Sequence, residues 1–545
     1  MLFKKMILLF IVCAMTTTAS TQRVSIAWSD KIKATSGFTK GGIYATSMAL
    51  PNQELLTAFR MPPAKGDIYI GAVDIFPCIK LVKFNKQLEP IKELDFEFPR
   101  KGSRGFLDLV KLQSNYFLLS YSIDKATASM SIDCQKLNTE TLTAEVSKNI
   151  ATLQLGDYDK SNSIEASDLQ VDYSPDSTKL LFAYEPDLKK KENKEVVLVV
   201  ANSDMILMNE QKYSFGEQYK KVRLNDASVD NNGKIYLSYN LYSKDYESNY
   251  IKKDGSKIPS FTTNLCIING KEKDIFTFAS EGKFIHGSTI AYDENYKICI
   301  IGLYKEKHDG RIVGVFKASI DEKKKIFGAP VVFEPFPQTV LDQADIDDMG
   351  KKKGKEIGLD NDFQIKYSIS VLPEGGIRLI SEYHDIAYNE NFRETWGDIL
   401  VATFFPGNKT KTQFTLISKK QLASYSSMSA RLRNYSYKFI ACSFEPVLYN
   451  NKLLILYNDH EDNQTRDINK KPEEMTNPRK SSLMMAEINP KGIFVKNNFV
   501  LSHRDYDGYM TNMQFNFLKT NTYSVFALNM GLFKYGVKVG ILTIK

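Results

Sequence analysis

Three of the five histidines in this sequence stand beside a carboxylate. They are His308 with Asp309, His384 with Asp385, and His460 with Glu461 and Asp462. Histidine titrates near neutral pH and a neighbouring carboxylate can orient its ring, so these residue types suit proton transfer or metal coordination. We therefore take His384, Asp385, His460 and Asp462 as candidate site residues. The alternative is ordinary polar loop composition, because neighbours in sequence need not point the same way.

Two acidic clusters, DIDD at 345–348 and DHED at 459–462, have the oxygen ligands that Ca²⁺ prefers. Neither has the spacing of a known calcium loop. The cysteines lack C-x-x-C spacing, which argues against a zinc site. HEXXH, GXSXG, P-loop and EF-hand patterns are also absent. We therefore predict no metal site and no cofactor, with Ca²⁺ as the alternative, and the sequence leaves the catalytic residues unknown.

A tyrosine-rich segment is the most binding-like feature of the sequence. Tyr242, Tyr246 and Tyr250 alternate with Ser, Asn, Asp and Lys. Tyrosine combines a flat apolar surface with a hydrogen-bonding group at low entropic cost, as recognition surfaces often do. We take these three residues as binding candidates, and the alternative is that they pack over the rim of the domain. Tyr239, just before them, is expected in a strand core.

These residues must be positioned by a repeated element. A turn followed by a short apolar strand recurs eight times, about 55 to 80 residues apart, which indicates a repeat architecture. The copies are NQELLTAF (52–59), SNYFLLSY (114–121), SPDSTKLLFA (174–183), NNGKIYLSY (231–239), NYKICIIGLY (295–304), EGGIRLISEY (374–383), NNKLLILYN (450–458) and NTYSVFALN (521–529).

Each copy has an apolar strand before it, and most have a strand-turn-strand unit after it, as in VVLVVANSDMILMNE (196–210). Four antiparallel strands in a meander are typical of a β-propeller blade. The last copy supplies only three strands, and VSIAWSDKI (24–32) has no hairpin partner of its own. We therefore predict an all-β, eight-bladed propeller closed by this N-terminal strand, with seven blades as the alternative. The predicted blades lie near 44–98, 106–150, 166–215, 225–279, 286–334, 366–418, 440–502 and 512–545.

SPDSTKLLFA resembles the Ser-Pro-Asp-Gly turn and strand of WD40-like (TolB-type) propeller repeats. The chain as a whole resembles secreted bacterial propeller proteins without assigned activity. Ser177 stands where that family usually has glycine, and the motif is clear in only one blade. The resemblance implies the architecture over most of 23–545 and carries over no catalytic residue.

The N-terminus indicates export. Lys4 and Lys5 precede an apolar run and then small residues through Ser20, which is the pattern of a signal peptide over 1–22. We expect a periplasmic, cell-surface or secreted protein with no transmembrane span, since the run is too short to cross a bilayer. Lipid attachment at Cys13 is the alternative, and Val12 before it argues against that. The net charge of +8 is a mild excess, and the lysine runs stand beside acidic residues, so we expect no nucleic-acid partner.

We name the strands of a blade A to D from the axis outward. The A–B and C–D turns are short, whereas the long polar segments fall on the other face, which we call the B–C/D–A face. These segments are 185–195, 240–260, 343–362, 382–398 and 458–480. Long loops on a rigid scaffold are where binding residues usually lie. We therefore predict an exported, non-catalytic propeller that binds a protein or glycan partner through this face. The alternatives are a hydrolase or lyase acting on a glycan or peptide at the central funnel, and an envelope assembly scaffold.

Overall fold

The structure is a computed structural model. It describes residues 24–30, 32–33, 43–61, 78–97, 103–124, 126–154, 169–185, 195–216, 219–243, 250–253, 255–278, 280–293, 297–321, 326–327, 331–347, 358–371, 376–388, 391–406, 411–426, 442–466, 470–502, 509–510, 516–519, 521–530 and 535–545. The expected signal peptide lies outside these residues, as do Cys13, Tyr246 and His503.

The protein is all-β and has eight antiparallel sheets that follow one another along the chain as propeller blades. Two strands precede the first blade: β1 (Val24–Trp28) and β2 (Ile32–Lys33). Blade 1 contains β3 (Ile43–Ala49), β4 (Leu55–Met61), β5 (Cys78–Phe84) and β6 (Pro90–Glu97). Blade 2 contains β7 (Ser103–Leu112), β8 (Asn115–Asp124), β9 (Ser129–Asn138), β10 (Thr143–Ala144) and β11 (Lys148–Gln154). Blade 3 contains β12 (Leu169–Tyr173), β13 (Lys179–Tyr184), β14 (Glu195–Asn202) and β15 (Leu207–Ser214).

Blades 4 and 5 carry short additions to the four-stranded pattern. Blade 4 contains β16 (Tyr219–Val229), β17 (Ile235–Ser243), β20 (Phe261–Asn269) and β21 (Glu272–Thr277), with a hairpin of β18 (Tyr250–Lys253) and β19 (Ser256–Pro259) between its second and third strands. Blade 5 contains β22 (Phe284–Tyr292), β23 (Ile298–Lys305), β24 (Gly314–Asp321), β25 (Ile326–Phe327) and β26 (Val332–Pro335), and the helix α1 (Gln338–Asp347) follows it.

The last three blades complete the ring. Blade 6 contains β27 (Phe363–Val371), β28 (Gly376–Tyr388), β29 (Asn391–Phe404), β30 (Gln413–Ile417) and β31 (Gln421–Ser426). Blade 7 contains β32 (Phe444–Tyr449), β33 (Lys452–His460), β34 (Ser481–Ile488) and β35 (Phe494–Ser502). Blade 8 contains β36 (Tyr509–Met510), β37 (Asn516–Lys519), β38 (Thr522–Met530) and β39 (Tyr535–Ile544). Short 3-10 turns lie at Pro51–Gln53, Glu461–Thr465 and Pro478–Lys480.

The N-terminal strand closes the ring, as predicted. β1 pairs antiparallel with β39, from Val24 opposite Ile544 to Trp28 opposite Gly540. Gly540 is required at this position, because a Cβ there would lie 2.7 Å from Cε3 of the Trp28 ring. The pairing covers the free edge of β39, and an uncovered edge is where sheets associate with other chains. The prediction of eight blades is confirmed.

The core lies between the faces of neighbouring blades. The second and third strands of blade 3, β13 and β14, are buried on both faces, whereas the outer strand β15 is mostly exposed or half-buried. One apolar cluster joins Leu198 of blade 3 to Leu237 of blade 4. Strands packed on both faces need continuous apolar runs, which explains why the repeated apolar strand is such a strong signal in the sequence.

Side chains on the first strands join adjacent blades. Asp172 Oδ2 of blade 3 accepts a hydrogen bond from the Val229 amide of blade 4 at 3.0 Å. Asp226 Oδ2 of blade 4 accepts from the Ile290 amide of blade 5 at 2.8 Å. Burial raises the pKa of both carboxyls, and the amide hydrogen bonds oppose that shift. These contacts tie blade 3 to blade 4 and blade 4 to blade 5.

Several predicted loops contain regular structure. Residues 382–398 were expected to be a loop, but β28 and β29 continue past the blade as a hairpin, with Tyr388 opposite Phe392. β31 pairs with this extension, from Ser426 opposite Asn391 to Gln421 opposite Trp396. The hairpin forms because the two strands satisfy each other's backbone groups beyond the blade edge. Within the described part of the chain, no helix has the length and apolar composition needed to cross a bilayer.

Candidate binding cavity

A cavity of about 600 Å³ lies among blades 4, 5 and 6. Its walls are the first halves of the inner strands β16, β22 and β27, together with the ends of β17 and β23 and the start of β20. These are the strand ends that meet the B–C and D–A connections. The cavity is therefore on the face where the sequence predicted binding, and three blades contribute to it.

Two cationic side chains line the cavity. Arg223 is exposed on β16, and Lys305 is half-buried at the end of β23. Lys305 Nζ donates to the carbonyl oxygen of His308 at 2.9 Å. Burial lowers the pKa of Lys305, and Asp309 partly opposes the shift. None of the described residues that line the cavity is Asp or Glu, so the charge on its walls is positive.

His286 on β22 is the histidine held most firmly in the cavity wall. Its Nε2 lies 3.1 Å from the carbonyl oxygen of Phe363 on β27. A carbonyl only accepts hydrogen bonds, so Nε2 carries the proton in the neutral ring. Burial, then the nearby charges of Lys305 and Arg223, lower the pKa of His286 to about 4. At neutral pH the ring is therefore uncharged and bridges blades 5 and 6.

Amide and hydroxyl groups form a connected network at the cavity wall. Asn225 Nδ2 donates to Asn240 Oδ1 at 3.2 Å and to Ser288 Oγ at 3.1 Å. Thr263 Oγ1 donates to the same Asn240 oxygen at 2.9 Å, and the hydroxyls of Ser238 and Ser288 are 3.0 Å apart. The polar groups of blades 4 and 5 are thus oriented before any ligand arrives, which lowers the entropic cost of binding.

The β18–β19 hairpin lies at the cavity rim. The ring of Tyr250 contacts that of His308, with centroids 4.3 Å apart, and Lys257 Nζ lies 4.7 Å from the Tyr250 ring centroid. Lys257 also forms an ion pair with Asp309, whose carboxylate contacts His308 Nδ1. These contacts attach a hairpin of blade 4 to the B–C loop of blade 5, beside a histidine that lines the cavity.

The candidate tyrosines have different environments. Tyr242 lines the cavity but is only 3% exposed, and its ring packs on Phe261 with centroids 5.2 Å apart. Tyr250 is at the rim, and Tyr246 lies outside the described residues. Tyr239 is fully buried in β17, as expected. The tyrosine-rich segment is therefore close to the cavity, with one ring in its wall and one at its edge.

The two candidate pairs, His384 with Asp385 and His460 with Asp462, lie outside the cavity. His384 stacks on Trp396 in blade 6, with ring centroids 5.0 Å apart and planes 14° apart, and its Nε2 is 3.4 Å from Glu394 Oε2. Asp385 follows it on β28. Neither residue lines the cavity.

His460 lies at the end of β33 in blade 7 and caps the following 3-10 turn. Its Nδ1 accepts from the Asp462 amide at 3.3 Å, and the Asp462 carboxylate is 3.5 Å from the same nitrogen. The neighbouring Asp459 is buried and accepts from Asn463. The described residues hold no group of three or more His, Cys, Asp or Glu side chains arranged to bind a metal ion. The absence of a metal site and cofactor, with Ca²⁺ as the alternative, stays a prediction.

Sequence reasoning missed Arg223, Lys305 and Asn225 and did not select His286 from the other histidines. The sequence does contain one pattern that indicates a polar wall. Lys221, Arg223 and Asn225 alternate with apolar residues on an inner strand, which predicts a polar strand face turned away from the core. Without the blade arrangement, nothing in the sequence shows that this face meets Lys305 and His286.

The fold and the cavity define an eight-bladed propeller with a positively charged, amide-rich cavity on its B–C/D–A face. No family model matches the chain, and no curated protein matches it. Among solved structures it is similar to the propeller domain of the Trilobed protease from Pyrococcus furiosus, with 9% identity, TM-score 0.36, and 84% of this chain and all of that one covered. It is also similar to the Dos1 propeller (10%, TM-score 0.35, 96% and 95% covered) and to polysaccharide lyase Uly1 (10%, TM-score 0.35, 80% and 89% covered). At these scores the fold assignment rests on the strand pairing itself.

Proposed function

We propose that this protein is an exported, non-catalytic propeller that binds an extracellular glycan in the cavity among blades 4, 5 and 6. The observation that carries the proposal is the convergence of oriented amide, hydroxyl and cationic groups from three blades on one cavity of about 600 Å³. That volume is within the usual range for ligand pockets. Export is supported by the signal-peptide pattern over 1–22.

A glycan fits the chemistry of the cavity better than a folded protein does. Sugar hydroxyls both donate and accept hydrogen bonds, and the walls offer matching groups in Asn225, Ser288 and Gln364. Half-exposed Phe261 adds an apolar surface for a sugar ring. The groups are recessed between blades, so a chain of narrow rings reaches them more readily than a broad protein surface does.

The test is glycan binding by the mature chain, residues 23–545, measured on an array of extracellular polysaccharides and by calorimetry for each positive. Asn361→Trp places a bulky ring at an exposed position that lines the cavity, and we expect it to abolish binding. Asn232→Ala, in an exposed turn of blade 4 on the opposite face, is the matched control and should bind normally. Absence of any glycan ligand, or full binding by Asn361→Trp, would overturn the proposal. Binding of a protein alone would favour the protein-partner alternative.

A second candidate function is glycan cleavage, and His286 is the observation that favours it. The ring of His286 is uncharged at neutral pH, and an anionic substrate would offset the charges of Lys305 and Arg223, which lower its pKa, so that it could accept a proton. The assay incubates each bound glycan with the wild-type protein and with His286→Gln, and measures chain length. Shortening by the wild type and none by the variant would replace the binding proposal with an enzymatic one. Unchanged chain length with the wild type leaves binding as the function.

A further inference from the structure

The carboxylate that acts on a cation of the cavity, Asp309, lies outside the lining residues and is not ion-paired with Lys305. Within the described residues neither Arg223 nor Lys305 forms an ion pair, and the cavity walls hold no acidic side chain. This differs from the rim, where Lys257 is paired with Asp309. The positive charge inside the cavity is therefore available to a ligand.

Lys305 is placed where an anion would stabilise it. Its ammonium group is partly removed from water, and the hydrogen bond that the structure gives it goes to the His308 carbonyl. An ammonium has three donors, and a desolvated charge is stabilised by an opposite charge within a few ångströms. Arg223 supplies a second cation with the planar geometry that binds carboxylate and sulfate oxygens in pairs.

Resting on the proposed function, we infer that the glycan bound in this cavity is acidic, with a carboxylate or sulfate group held between Arg223 and Lys305. The anionic group pairs with the two cations, while the sugar hydroxyls meet Asn225, Ser288 and Gln364. The neutral ring of His286 adds no charge of its own, so the selectivity for an anion comes from these two residues.

The first experiment compares pairs of polymers that differ only in charge. Polygalacturonate is compared with its fully methyl-esterified form, and dextran sulfate with dextran, by calorimetry with the full mature chain. We expect the acidic member of at least one pair to bind about tenfold or more tightly than its neutral partner, since hydrogen bonds to charged groups are the stronger ones. The first pair reports a carboxylate ligand and the second a sulfate ligand.

The second experiment removes the cations. Arg223→Gln and Lys305→Gln should each weaken binding of the acidic polymer by about tenfold. Lys271→Gln, an exposed lysine in the C–D turn of blade 4 on the opposite face, removes the same charge and should leave binding unchanged. Arg223 is on the surface, so its variant tests the inference even if Lys305→Gln fails to fold.

The outcomes separate this inference from the proposed function. If no glycan of either kind binds, the proposed function fails and the inference fails with it. If acidic and neutral polymers bind equally and Asn361→Trp abolishes both, the glycan site stands and the inference of an anionic ligand is wrong. If polyglutamate binds as tightly as polygalacturonate, the cavity recognises negative charge without sugar. That result also overturns the inference of an acidic glycan.

Discussion

At the scale of single residues, Ser177 shows how this chain departs from the turn it resembles. The residue has φ = 54°, in the left-handed region that glycine adopts without strain. The turn is kept by other bonds: the Ser177 amide donates to the Ser174 carbonyl at 2.8 Å, and the Lys179 amide donates to Ser174 Oγ at 2.9 Å. Hydrogen bonding by Ser174 thus holds a conformation that Ser177 itself disfavours.

Ser177→Gly should therefore raise the free energy of unfolding, by about 0.5–1 kcal/mol. Glycine removes the strain of the left-handed conformation, and this gain is larger than the free-energy cost of the extra conformational entropy that glycine gives the unfolded chain. Urea denaturation of residues 23–545 measures the change. Ser177→Ala keeps the strain and serves as the control, with no gain expected. A glycine variant no more stable than the alanine variant would contradict the assignment of strain.

The buried carboxyl of Asp459 should make the free energy of unfolding depend on pH. Burial raises its pKa from 3.8 to about 7, against hydrogen bonds from Asn463 and the His460 amide. The folded protein thus holds this proton more tightly than the unfolded chain does. The stabilising contribution is complete below pH 3.8 and is lost as the pH rises through about 7.

Asp459→Asn should remove this dependence, because an amide oxygen accepts the same hydrogen bonds without ionising. Relative to the wild type, the variant should gain on the order of 4 kcal/mol of stability between pH 4 and pH 8. Denaturation at both pH values measures the difference. The exposed Asp462→Asn variant should follow the wild type, and parallel profiles for wild type and Asp459→Asn would exclude the buried carboxyl as the source.

At the scale of elements, the β18–β19 hairpin depends on its neighbour. A two-stranded hairpin is marginal alone in water. It is held by contact of Tyr250 with His308 and by the ion pair of Lys257 with Asp309. The B–C insertion of blade 4 is thereby fixed at the edge of the cavity.

Tyr250→Ala should loosen the hairpin without unfolding the propeller. We expect faster hydrogen exchange of the backbone amides of β18 and β19, with a change in global unfolding free energy below about 0.5 kcal/mol. Lys253→Ala, exposed on the same hairpin, is the control. Unchanged exchange in the Tyr250 variant would mean that the contact with His308 does not hold the hairpin.

At the scale of the whole molecule, the ring depends on a pairing between residues more than five hundred positions apart. β1 places Val24, Ile26 and Trp28 against the apolar cluster of blades 7 and 8. It also covers β39, the strand that would otherwise form an open edge. Closure thus combines apolar burial with protection of an edge.

A chain beginning at residue 34 should lose at least about 3 kcal/mol of stability relative to 23–545, from the lost burial of these three side chains. It should also self-associate through the uncovered edge of β39. Calorimetry and light scattering measure both effects. Ser25→Ala, exposed on β1, should change neither. A truncated chain with the same melting temperature and monomeric mass would show that the ring does not need this strand.

The sequence by itself determined the blades, their number and the closing strand. Those features are local: alternating or continuous apolar runs separated by turn residues, as in SPDSTKLLFA, and VSIAWSDKI without a partner of its own. Long segments accumulate on the B–C/D–A face, which the sequence singled out for binding, and the cavity opens on that face. It did not determine that 382–398 continues as a hairpin.

Only the tertiary structure decided the cavity itself. Arg223, His286 and Phe363 belong to three blades, and each looks like an ordinary strand residue in sequence. They meet because inter-blade packing and carboxylates such as Asp226 set the rotation between neighbouring sheets. Local sequence patterns carry no information about that rotation. Two of the three histidine–acid neighbours, by contrast, have local roles away from the cavity, His384 stacked on Trp396 and His460 capping a turn.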